Sequence, residues 1–130
     1  MNKKEMFNKM AENLTIKDWN FIEGFYNALE GEDREMFVLS LCEKLDDMSI
    51  LAEFVEVIDD TYHKPIYDTI INSGEEVWIR GATVLALKRG HDASALVAKS
   101  EQLLGVTAEG KTKEEFIEAL EAINFSKYAD

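Results

Sequence analysis

Apolar residues along the chain recur every three or four positions, and no segment shows the two-residue alternation of a half-buried strand. This periodicity predicts helices, the longer ones at about 2–13, 16–29, 33–46, 75–89 and 92–104. Shorter helices are predicted at about 49–58 and from Pro65 to Asn72, and a last one follows Thr112. We therefore predict a compact all-α bundle of six or seven helices, with residues 1–130 as a single domain.

The predicted helix ends carry capping signals. Thr15 with Asp18, and Thr112 with Glu115, have the spacing of a capping box, in which a hydroxyl and an acid pair with each other's backbone N–H groups. Three glycines are predicted to end helices: Gly31, Gly90 and Gly105.

The interiors of three helices suggest how they pack. The segment 33–46 carries apolar residues almost all round, which predicts a central, buried helix. Gly24 and Gly81 lie inside helices, where glycine costs about 1 kcal/mol relative to alanine. We expect the close approach of another helix to compensate at both positions. Trp19 and Trp78 fall on apolar faces and are expected in the core.

An offset of 42 residues aligns two helix pairs, with Phe37 on Ile79 and Leu45 on Leu87. The second copy, residues 74–105, resembles a HEAT-type helical repeat, and the likeness rests on Ile79, Arg80, Ala82, Ala86, Leu87, Ala95, Leu96, Val97 and Leu104. The first copy departs from the pattern, with Val38 where Arg80 stands. The resemblance implies stacked antiparallel helix pairs and a role in binding proteins.

Charge is distributed unevenly. The chain has a net charge of −12, and residues 18–76 hold sixteen acidic side chains against three basic ones. Such a field repels nucleic acid and anionic membranes and favours a basic partner protein. Lysine outnumbers arginine eleven to three, a usage that we take to indicate an AT-rich bacterial or phage genome.

Other compositional features point to the cytoplasm. No apolar run approaches the ~20 residues of a membrane span, and the first residues lack the apolar stretch of a secretory signal. The single cysteine, Cys42, lies in an apolar helix, where burial should raise its pKa and make it inert. We expect a cytoplasmic protein without a cofactor.

These observations favour a non-enzymatic adaptor or inhibitor that binds a basic protein, in its sharpest form by imitating nucleic-acid charge. Tyr62 and Tyr67 are the expected exposed aromatic contacts, and Tyr62 joins the acidic residues in the predicted binding surface. The acidic residues of that surface are Glu32, Asp33, Glu35, Asp46, Asp47, Glu53, Glu56, Asp59 and Asp60.

Two alternatives remain open. One is a structural subunit or assembly chaperone that forms homo-oligomers through apolar helix faces. The other is a small enzyme or nucleotide-binding protein using Gly105–Thr112, which has the glycine and Gly-Lys-Thr spacing of a phosphate loop. That mechanism needs a strand before the loop, whereas a helix is predicted there.

The acidic connector is a candidate metal site, because oxygen and imidazole ligands come close in sequence there: Asp59, Asp60, His63 and Asp68. The segment lacks the alternating acids, glycine and closing glutamate of a calcium loop. We therefore assign no metal to it.

Overall fold

The structure is a computed structural model that describes residues 1–45 and 47–125. Within these residues it is all-α, with no strand, as predicted. Eight α-helices and two 3₁₀ turns are described: α1 Lys3–Asn13, a turn Ile16–Asp18, α2 Trp19–Ala28, α3 Gly31–Lys44, α4 Met48–Phe54, a turn Asp60–Tyr62, α5 His63–Ser73, α6 Glu76–Arg89, α7 Ser94–Leu104 and α8 Lys113–Glu121. The all-α class is confirmed, and each of the eight helices corresponds to a segment whose periodicity predicts a helix, one more than the predicted bundle of six or seven.

The chain divides into two compact units, unit 1 covering Met1–Thr69 and unit 2 covering Ile70–Asp130. The assignment of residues 1–130 to one domain stays a prediction. Each unit is described by itself below.

Unit 1 is organised around aromatic side chains. The rings of Phe7 in α1, Phe25 in α2 and Phe37 in α3 contact one another, with centroids 5.0–5.8 Å apart. A second group forms where Trp19 and Tyr26 meet the ring of Phe54 edge-on. Phe7, Phe37 and Phe54 are almost fully buried, and burying such side chains contributes roughly 1.5–3 kcal/mol each.

Unit 2 is held by α6, which contacts both α7 and α8. The hydroxyls of Thr83 and Ser100, both fully buried, are hydrogen-bonded at 2.8 Å between α6 and α7. Arg80 donates to the carbonyl of Leu120 at 3.3 Å, and its guanidinium lies 4.9 Å from the ring centre of Phe125. Arg80, one of the residues on which the HEAT resemblance rests, thus has a structural role, and the resemblance itself stays a prediction.

The predicted capping signals are largely confirmed. Both capping boxes, at Thr15 and Thr112, are formed. Gly90 and Gly105 end α6 and α7 in the left-handed conformation that glycine adopts without strain. Gly31 was assigned wrongly: α2 ends at Ala28, and Gly31 is the first residue of α3, with φ +55°.

Three packing expectations are also corrected. Helix α3 is not buried all round, since Leu39 is 46% exposed. A Cβ placed on Gly24 or Gly81 would meet no atom within 4 Å, apart from chain neighbours and the helix's own backbone, so no helix approaches them closely. Trp19 and Trp78 are half-buried rather than core residues.

Candidate functional site: an acidic groove along α3

The predicted partner-binding residues lie in unit 1, and they divide into two groups by their surroundings. Some carboxylates are engaged by neighbouring side chains or backbone, whereas others have no such partner in the described ranges. Asp46 lies outside the described residues.

Asp59 belongs to the engaged group. Its Oδ2 accepts hydrogen bonds from the Tyr26 hydroxyl at 2.9 Å and from the Arg34 guanidinium at 3.0 Å. The Asp59 backbone N–H donates to the same Tyr26 oxygen at 3.1 Å. These contacts, that of Tyr26 first, lower the pKa of the Asp59 carboxyl. Asp59 therefore helps to hold the fold of unit 1.

Arg34 completes this arrangement and ties it to the end of α2. Its guanidinium lies 4.5 Å from the ring centre of Tyr26, and it also donates to the carbonyls of Leu29 at 3.0 Å and Asn27 at 3.3 Å. The end of a helix leaves carbonyls without intrahelical partners, so a cation there stabilises it.

Three further predicted acids have intramolecular partners. Asp33 accepts from the Lys3 ammonium through both oxygens, at 2.9 and 3.0 Å. Asp47 is the N-cap of α4 and accepts from the Ser49 backbone N–H at 3.0 Å. Asp60 lies 3.8 Å from His63 Nε2.

The predicted aromatic contacts are less accessible than expected. Tyr67 is 4% exposed, and burial, with a smaller contribution from Glu56, raises its pKa to about 12. Its assignment as an exposed contact is wrong. Tyr62 is half-buried, with its ring edge-on to that of Tyr26 at 6.4 Å.

Glu32, Glu35 and Glu53 form the second group. All three are exposed, and their carboxylates make no ion pair or side-chain hydrogen bond within residues 1–45 and 47–125. Glu32 and Glu35 lie on α3 and line the same open groove, whereas Glu53 lies on α4.

This groove, which we call the α3 groove, has a volume of about 670 Å³. Its lining is Lys4 of α1, Glu32, Glu35, Met36, Leu39, Ser40, Cys42 and Glu43 of α3, and Thr69 of α5. Three carboxylates thus stand against one ammonium, around the exposed side chain of Leu39. The arrangement offers an apolar contact inside a negative field, which is the chemistry of a protein-binding surface.

Sequence reasoning missed Glu43 and Leu39 as members of this surface. Glu32, Glu35, Leu39 and Glu43 follow one another at three- and four-residue steps, so they share a face of a helix. That signal was present in the sequence. It was obscured because the dense apolar residues of 33–46 suggested a helix that is buried on every side.

Cys42 lines the α3 groove and is half-buried. Burial raises the pKa of its thiol, and a hydrogen bond with Thr69 opposes part of that rise. The predicted raised pKa is confirmed, although the side chain is less buried than expected.

The phosphate-loop spacing at Gly105–Thr112 lies in a different structural context from that of a nucleotide site. Helix α7 precedes the loop, where a strand would be required. The Glu101 carboxylate accepts from the Ala108 backbone N–H at 3.0 Å, and Lys111 donates to the Thr107 carbonyl at 2.9 Å. Two of the groups that would cradle a phosphate, the Ala108 N–H and the Lys111 ammonium, are thus engaged by α7 and by the loop.

The acidic connector does not gather its candidate ligands. Asp68 pairs with Lys64 at 2.7 Å, and Asp59 is engaged by Arg34. Among the described residues, no group of three His, Cys, Asp or Glu side chains could hold a metal ion. None of the described helices is both long and apolar enough to cross a membrane.

A second, smaller hollow lies on α2. It has a volume of about 350 Å³ and a largely apolar lining, which consists of Asn20, Phe21, Gly24, Phe25, Ala28 and Leu29. Phe21 is 52% exposed at its edge.

Comparison with protein-family models, with curated proteins and with solved structures finds no match to this chain.

Proposed function

We propose that this protein is a non-enzymatic interaction module, an adaptor or inhibitor, that binds a basic partner protein through the α3 groove of unit 1. The observation that carries the proposal is a set of three glutamates around the exposed Leu39: Glu32, Glu35 and Glu43, which have no ion pair within residues 1–45 and 47–125. Unpaired carboxylates are available to a partner's lysine or arginine, and the apolar centre supplies the contact that charge alone does not.

The charge of the two units supports this choice of surface. Residues 1–69 hold sixteen acidic and seven basic side chains, a net charge of −9, whereas residues 70–130 hold ten and seven, a net charge of −3. A basic partner is therefore steered towards unit 1, and association weakens as salt screens the field.

The test is affinity capture from a nuclease-treated bacterial lysate with three forms of the protein, washed at low and high salt. The first form is the wild type and the second replaces Glu32, Glu35 and Glu43 by glutamine. The third is a matched control, in which Glu109, Glu114 and Glu118 of unit 2, all exposed, undergo the same change.

A basic protein that the wild type and the control retain, and that the α3-groove variant loses, supports the proposal. Retention by all three forms contradicts it. Addition of competing DNA tests whether the protein imitates nucleic-acid charge. Release of the captured partner by DNA indicates that the groove occupies the partner's own nucleic-acid-binding site.

Self-assembly, as a structural subunit or assembly chaperone, has one observation in its favour. The hollow on α2 is apolar, and Phe21 beside it is half exposed. Light scattering on wild type and Phe21→Ser at high concentration tests it: a dimer that the substitution dissociates supports self-assembly, and a strict monomer contradicts it.

A further inference from the structure

We propose that the α3 groove receives one face of a basic amphipathic helix, with lysine or arginine at both ends of the contact and an apolar side chain between them. This inference rests on the proposed function and narrows the partner to one chemical class. Its basis is the order of side chains along α3 together with the shape of the groove.

The order of residues along the groove is acidic, apolar, acidic. Glu32 and Glu35 lie near the start of α3, Met36 and Leu39 follow, and Glu43 lies near its end. With a rise of 1.5 Å per residue, Glu32 and Glu43 are about 16 Å apart along the axis, and Leu39 is about 10 Å from Glu32. A complementary helix of three turns spans this distance.

The walls of the groove favour a helix over an extended peptide. Its lining consists of residues on three helices, α1, α3 and α5, and no strand lies among the residues that the structure describes. An extended peptide gains affinity by adding its backbone to a sheet edge, and these walls offer none. A helix satisfies its own backbone and presents only side chains to the groove.

The volume agrees with one helix face. A helix about 10 Å wide and about 16 Å long occupies roughly 1,250 Å³. The groove, at about 670 Å³, accommodates about half of that volume. The opposite face of the bound helix therefore remains in solvent and can be polar.

The chain carries its own reporter of occupancy. Cys42 is its single cysteine, and it lines the groove. Because burial raises the pKa of the thiol, alkylation by iodoacetamide is followed at alkaline pH, where more of the reactive thiolate is present. A helix in the groove covers Cys42 and slows this reaction.

The experiment titrates two fluorescent peptides of identical composition, about 15 residues each, into the full chain. In the first, an alanine host carries lysines at i, i+3 and i+11 and leucines at i+4 and i+7. The same spacing is also tested in reverse order, because the bound helix can run parallel or antiparallel to α3. In the second, the leucines are moved to the opposite helix face. Fluorescence anisotropy gives the affinity of each peptide, and the rate of Cys42 alkylation shows whether the peptide lies in the α3 groove.

We expect the first peptide to bind about tenfold more tightly than the second and to slow alkylation of Cys42. Leu39→Gln should weaken the first peptide about fivefold or more, with little effect on the second. Met6→Gln is the matched control: Met6 is 42% exposed on α1 and is not part of the groove lining, so its replacement should leave both affinities unchanged.

Other outcomes separate this inference from the proposed function. One such outcome is that the two peptides bind equally well, with binding weakened by glutamine at Glu32, Glu35 and Glu43 but not by Leu39→Gln. That result overturns the helical partner and leaves an acidic binding surface. If the first peptide binds but does not slow alkylation of Cys42, the α3 groove is not its binding site, and this overturns the inference. If neither peptide binds, the helical partner is overturned, and the capture experiment decides separately whether the groove binds a protein at all.

Discussion

Two sets of carboxylates in unit 1 have the same chemistry but different surroundings. On α3, Glu32, Glu35 and Glu43 project around an apolar centre, without an ion pair in the part of the chain that the structure describes. In the connector before α5, Asp59 is held by Tyr26 and Arg34. The first set is available to another molecule, whereas Asp59 fastens the end of α2 to a segment 33 residues further along the chain.

A count of acidic residues therefore overstates a binding surface. An engaged carboxylate would have to give up its intramolecular hydrogen bonds to meet a partner, and that loss offsets the new contact.

Replacement of Tyr26 by phenylalanine should lower the free energy of unfolding by about 1–2 kcal/mol, because the Asp59 carboxylate and backbone N–H lose a partner next to a buried ring. Urea denaturation measures the change. Tyr62→Phe is the matched control, since the Tyr62 hydroxyl makes no hydrogen bond within the described residues and its removal should leave stability nearly unchanged. Equal effects of the two changes would contradict the structural role of Asp59.

Asp59→Asn should make stability less dependent on acid pH. The pKa of this carboxyl is lowered in the folded state, so its stabilisation is complete above the unfolded value of about 3.9 and is lost as the pH falls through the folded value. The urea midpoints of wild type and variant should therefore differ at neutral pH, begin to converge as the pH falls below about 4, and coincide below the lowered pKa of the folded state. In a Tyr26→Phe background the difference should shrink, since the largest cause of the lowered pKa is gone.

The triple variant with glutamine at Glu32, Glu35 and Glu43 should unfold within about 0.5 kcal/mol of the wild type. Glu32 and Glu35 are three residues apart on one helix face, so removing their repulsion compensates for small losses at the helix start. Thermal unfolding checks this. A large loss of stability would show that these glutamates support the fold, and the capture experiment would then need single substitutions.

Much of the fold follows from local signals. Helical periodicity and capping chemistry act over four residues or fewer, so both capping boxes and the glycines that end α6 and α7 were predictable. Gly31 was misjudged because glycine permits a left-handed conformation at either side of a turn, and the local pattern does not say which helix it belongs to.

The candidate site was predictable only in part. Glu32 and Glu35 were identified from charge, and Glu43 shares their helix face. Asp59 contacts Tyr26, which lies 33 positions away in the sequence, and Arg34, which lies 25 positions away. No local pattern reveals contacts over such separations. The burial of Tyr67 was missed for the same reason.

Local sequence accounts for the all-α class, most helix ends and the surplus of negative charge in residues 18–76, because propensity, capping and charge are properties of neighbouring residues. Which face of α3 is exposed, and which carboxylates have no partner among the described residues, follows from tertiary packing. Those outcomes depend on which distant side chains approach within hydrogen-bonding distance, and packing of whole helices sets that approach.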